Sequence, residues 1–192
     1  MWITDEQNQA TGEYVELLAG MGSGRAVHAE TAIAASARLS GSLLLRSFGF
    51  DLESAQPGTV LLSNEANEKY PTLANLVLSF LDKSGIQLDS TKFGGAPEQR
   101  GSAPQLDVQQ SLSLLQGPAL EIARRHSLSL EQAAQSAALA TAFIVKECSP
   151  SIGAETAFNV AVYGFIEGSK TAPPRLAPAA GARTRRPWYK FW

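Results

Sequence analysis

Residues 132–145 read QAAQSAALATAFIV, fourteen positions without a single charged side chain. A little further on, residues 154–168 read AETAFNVAVYGFIEG, and they are almost as apolar. A helix that is apolar on most sides has to be buried on several of them. Fourteen residues fall short of the roughly 20 that span a bilayer, so 132–145 is expected as a core helix. Ala133, Ala137 and Thr141 form one stripe of small side chains. Ala157, Ala161, Gly164 and Gly168 form another. Such stripes allow backbones to approach closely, and they place this helix pair at the centre of an all-α domain.

The flanking sequence extends the helical reading in both directions. Ser129 followed by Gln132 is a capping box that opens the fifth helix, which should run to about Glu147, with Pro150 helping to end it. A sixth helix is expected from about Ala154 to Gly168. Upstream, Val108, Leu112, Leu115 and Ile122 share a face. Gly117-Pro118 should kink or split that helix, since proline lacks the amide donor and clashes with the preceding turn. Leu73, Leu76, Val77, Phe80 and Leu81 make a clear amphipathic stripe. Pro71 suits the first turn of that third helix, and Lys83 and Gly85 suit its end. Residues 26–47 predict a second helix, with Ile33, Ala37, Leu44 and Phe48 at helical spacing. Ala37 and Gly41 give it a small face of its own. Thr4 with Gln7 forms another capping box, which starts the first helix near Asp5.

These signals predict a single globular bundle of five to seven helices over residues 1–170, followed by a tail over 171–192. A small β element is possible at 60–63 and 86–89. Residues 87–105 hold three glycines and two prolines and predict a long loop, a class of segment that is often functional.

Composition narrows the chemistry. The chain has 192 residues, 44% hydrophobic and 18% charged, enough apolar content for a buried core. The single cysteine, Cys148, excludes an internal disulfide and any multi-cysteine metal site. At a helix C-terminus it is expected to be a small core hydrophobe rather than a thiolate. His28 and His126 are the only histidines. His28-Ala29-Glu30 has the H-x-E form of zinc deaminases, but the Cys-x-x-Cys that completes their site is missing. The plainer reading is a partly exposed first turn, with Glu30 near the positive helix end. Gly20, Gly22, Gly24 and Arg25 form a weak candidate anion site ahead of a helix. No Gly-x-Ser-x-Gly elbow is present. Glu65, Glu68 and Glu155 lack the Glu-x-x-His pairs of a di-iron bundle. Arg124-Arg125-His126 before a capped helix superficially suggests a helix-turn-helix. The helix that would read bases is nearly all apolar, so no nucleic-acid partner is expected. No cofactor is expected either. The start of the chain lacks the features of a signal peptide, and a cytoplasmic location is the default.

The tail is the strongest sequence feature. Lys170, Arg175, Arg183, Arg185, Arg186 and Lys190 fall in 170–192 without an acid; against a net charge of −2, the rest carries −8. Trp188, Tyr189, Phe191 and Trp192 crowd the last five positions. Clustered aromatics on a surface usually mark a contact. They are expected to dock on the acidic body, on a second copy, or on an anionic membrane surface. Complementary charge favours the first two. The leading expectation is therefore a non-enzymatic interaction or assembly protein that self-associates. Its anchors would be Trp188, Tyr189 and Trp192, with Phe191 and the arginines in support. One alternative is a bundle binding a small molecule or acyl chain with 87–105 as lid. Another is an enzyme using Glu65, Glu68, Arg25 and Arg100.

Overall fold

Three helices start on a reciprocal cap. Thr4 pairs with Gln7, Asp107 with Gln110, and Ser129 with Gln132, each side chain bonding the other's backbone amide. The computed structural model describes residues 3–22, 28–94 and 101–176. Among them it contains six α-helices: α1 (Asp5–Ala19), α2 (Ala29–Ser47), α3 (Asn64–Lys83), α4 (Val108–Arg125), α5 (Leu130–Ile152) and α6 (Ala154–Lys170). The expected all-α bundle is what the chain forms. No described helix is long and apolar enough to cross a membrane.

Several boundaries differ from the expectation, each for a local reason. α3 starts at Asn64, seven residues before Pro71, because the Ser63 side chain accepts the Ala66 amide and caps it there. Its first turns are mostly polar and exposed, with Ala66 alone buried, so they carry no apolar period. Pro118 lies inside α4, which is not split. Pro150 lies inside α5, whose end is set at Gly153, where φ is +86°. That left-handed conformation favours glycine.

α5 and α6 lie in the core as expected, but the element at its centre is α2. Fifteen of its nineteen residues are buried. α5 meets one side, where Ser40 Oγ donates to the Ala134 carbonyl at 2.8 Å and Ser36 and Thr141 hydroxyls bond at 2.7 Å. α6 meets the other side backbone to backbone. A Cβ on Gly41 would stand 2.5 Å from the Phe165 carbonyl oxygen. One on Gly164 would stand 2.7 Å from the Ala37 Cβ. The two small-residue faces therefore interlock with each other. α1 closes over α4 and α5, with Tyr14 Oη donating to the Ala119 carbonyl at 3.2 Å and Gln7 donating to the Gln132 carbonyl.

The expected β element reduces to a single bridge with a different partner. Val60 makes an isolated antiparallel bridge to Thr171 rather than pairing with 86–89. Leu61 N donates to the Lys170 carbonyl at 2.7 Å, and Ala172 N donates to the Thr59 carbonyl at 2.9 Å. At 86–89 the backbone turns elsewhere: Ile86 N bonds back to the Leu81 carbonyl and closes α3, and Asp89 N donates to Glu155.

Candidate functional site

Arg38 is the only charged residue between Glu30 and Arg46. It sits in the middle of α2 and is 5% exposed. A buried guanidinium without partners would cost several kcal/mol, so its surroundings must supply them. Nε donates to Glu167 Oε2 at 2.7 Å. Nη1 donates to the Leu106 carbonyl at 2.5 Å and to Ser111 Oγ at 3.3 Å. The Glu167 side chain is 24% exposed, so the pair reaches from the core to the surface.

That surface is a cleft of about 390 Å³ between α2 and α6. Ala34, Val160 and Tyr163 line it beside Arg38 and Glu167. Residues Gly101, Ser102, Ala103 and Pro104 form its roof.

The first half of α2 and the residue before it hold this roof in place. Ser102 donates its amide and hydroxyl to Glu30 Oε1, at 3.0 and 2.8 Å. Its Oγ also lies 3.0 Å from His28 Nε2. Gln105 N donates to Thr31 Oγ1 at 2.9 Å, and Arg38 secures Leu106. Gly101 has φ +69°, and a Cβ there would meet Glu30 Oε1 at 2.7 Å. Burial pushes the Glu30 carboxyl up, but the donors from Ser102, its own backbone amide and the nearby His28 together outweigh it and hold it below its ordinary value. Glu30 does stand in the first turn of α2 as expected, but that turn is not partly exposed there: the side chain is buried and anchors the loop.

The other candidate residues are dispersed. Glu65 and Glu68 are both exposed on α3, while Glu155 accepts the Asp89 amide at 3.1 Å. No group of three or more His, Cys, Asp or Glu among the described residues could hold a metal ion. Cys148 is partly buried, and burial pushes its thiol up. Arg125 and His126 both bond the Glu13 carboxylate, the histidine at 2.7 Å, which ties the end of α4 to α1. His126, and to a lesser degree Arg125, holds Glu13 below the usual carboxylate range against the opposing effect of burial. Gly22 ends a short 3-10 turn after α1, and Gly24 and Arg25 lie outside the described residues. So do Arg100 and the tail candidates Arg183, Arg185, Arg186, Trp188, Tyr189, Phe191 and Trp192.

Sequence reasoning missed Arg38, Glu167 and Ser102. A signal was present: one arginine alone in an apolar helix, and one glutamate inside the stripe between Gly164 and Gly168. No protein-family model, curated protein or solved structure matches the chain.

Proposed function

We propose that this chain is a non-enzymatic helical binding protein whose α2–α6 cleft takes a small apolar molecule, an acyl chain included, by a polar head. The observation that carries this reading is the Arg38–Glu167 pair opening from the core into a cleft lined by apolar side chains. A volume of about 390 Å³ lies in the usual range for small-ligand sites. The bonds that Arg38 makes among the described residues use Nε and Nη1, which leaves Nη2 for a ligand acceptor. Glu167 binds the arginine through Oε2, so its other oxygen suits a donor on the same head. A carboxamide or hydroxyl head meets both demands. The loop expected as a lid supplies the roof through residues 101–104.

Native mass spectrometry of the purified full chain tests this directly, together with thermal shift against acyl amides and alcohols. A bound mass or a shift that is lost in Arg38→Met supports the reading. A clean unliganded mass and no shift across the series overturns it.

A second reading is assembly through the aromatic tail, on the chain's own body or on a second copy. It is favoured by an apolar patch at Phe50, Val60 and Leu62, all of which are exposed. Light scattering on the full chain separates a monomer from a self-associated form.

A further inference from the structure

We propose that the basic aromatic segment 183–192 docks in cis on the groove between residues 50–52 and 60–65 of the same chain. This rests on the tail reading above and commits it to one surface and to one copy.

The groove is built of unlike parts. Its apolar members are Phe50, Leu52, Val60, Leu61 and Leu62, and Asp51 and Glu65 stand on its walls. Phe50 is 38% exposed, Val60 65% and Leu62 84%. Phe50 is held by an edge-on ring contact with Phe48, 5.7 Å between centroids. Among the described residues no lysine or arginine lines the groove. Three large apolar side chains beside two carboxylates match a segment that is both aromatic and cationic. Residues 183–192 carry Arg183, Arg185, Arg186 and Lys190 with Trp188, Tyr189, Phe191 and Trp192, and no acid. Aromatic anchors with arginines around them are the usual makers of interface energy.

The place where the described chain ends points to the same surface. Residues 170–172 pair with 58–61, the extended segment that bears Val60 and leads into Leu62. The chain then passes Pro174, whose carbonyl accepts from Gln116 Nε2 at 2.7 Å. Sixteen residues follow Leu176. At about 3.3 Å per residue they reach on the order of 50 Å, more than enough to return to the groove. A tether of this length gives the tail a local concentration of about a millimolar, so the groove of its own chain outcompetes a second copy at ordinary concentration.

The tail supplies its own probe, because Trp188 and Trp192 are two of the three tryptophans and Trp2 is the third. In a Trp2→Phe background, emission reports the tail alone. The expected result is a monomer by light scattering, with blue-shifted emission that moves to the solvent-exposed wavelength in Leu62→Asp and in Glu65→Lys. Both positions are exposed, so neither change should disturb the fold. Hydrogen exchange at 58–65 should rise several-fold in a chain stopped after Leu176, a point that keeps the 58–61 pairing intact. A dimer whose emission shift is lost on dilution overturns docking in cis while leaving tail-mediated assembly standing. A monomer with solvent-like emission, indifferent to both substitutions, overturns the groove and the tail reading together.

Discussion

Gly168 lies directly against the backbone of Arg38, so that a Cβ at that position would overlap the Arg38 carbonyl oxygen. A backbone carbonyl inside a helix cannot swing aside as a side chain can. Gly168→Ala should therefore force α2 and α6 apart and cost about 1–3 kcal/mol. Gly41→Ala should act in the same sense. Gly12→Ala is the control, since nothing lies near its Cβ position on α1. It should raise stability by about 0.5–1 kcal/mol through helix preference alone. Urea denaturation compares the three, and a Gly168→Ala chain as stable as the parent would refute the α2–α6 packing.

Removing one member of the Arg38–Glu167 pair should be worse than removing both. Arg38→Met leaves Glu167 without its partner, and Leu106 and Ser111 without their donor. Glu167 can take up water at its exposed edge, so the loss is expected at about 2–3 kcal/mol, below that for a fully buried pair. Adding Glu167→Leu should recover a large part of it. A double-mutant cycle in urea reads the coupling, and additive losses would show that the pair contributes nothing as a pair.

Acid should weaken the fold through Glu30 and Glu13. Both carboxyls titrate below their ordinary value of 4.5 in the folded chain. For Glu30, burial works against this, and the Ser102 donors, its own backbone amide and His28 together prevail. For Glu13, the hydrogen bond from His126 leads. The unfolded chain then binds more protons in this range, so stability rises with pH there. The contribution is complete above the unfolded value and is lost as pH falls through the lower folded values. Urea midpoints measured across the acid range should show this slope, and Glu30→Gln should flatten it. A slope unchanged in that variant would remove Glu30 from the explanation.

The roof of the cleft should loosen without the core following. Ser102→Ala deletes the hydroxyl that bonds Glu30 and His28 but leaves the Ser102 amide in place. Hydrogen exchange at residues 101–106 should accelerate while α2 keeps its protection. Equal acceleration in both would mean that roof and core open as one unit.

Cys148 should behave as an unreactive thiol. Burial raises its ionisation point, and the nearby Glu147 adds to that. Labelling with an aromatic disulfide at neutral pH should be slower than for a small free thiol and should speed up in urea. Labelling at the free-thiol rate in the folded chain would contradict its placement.

What the sequence made legible was local. Thr4 with Gln7 and Ser129 with Gln132 announce helix starts because each cap is complete within four residues. The facing stripes at Ala37–Gly41 and Gly164–Gly168 announced close packing, although not that they pack on each other. Ser63 was an available start signal for α3, hidden because the polar turn after it carries no apolar period. The candidate cleft was the least legible part. Arg38 and Glu167 are 129 residues apart, and Ser102 reaches Glu30 across 72. Spacing rules see neighbours on one helix, and no such rule links these four.

That α2 is buried between α5 and α6 has a consequence for how the chain is made. Ser40 finds its partner 94 residues later and Arg38 finds Glu167 129 residues later. Contacts so distant in sequence are slow to form. As the chain emerges from the ribosome, α2 must wait for α5 and α6 with its leucines uncovered. Helices α1 to α3 should therefore not fold as a separate unit, and a chaperone that shields residues 33–45 would act before the core can close.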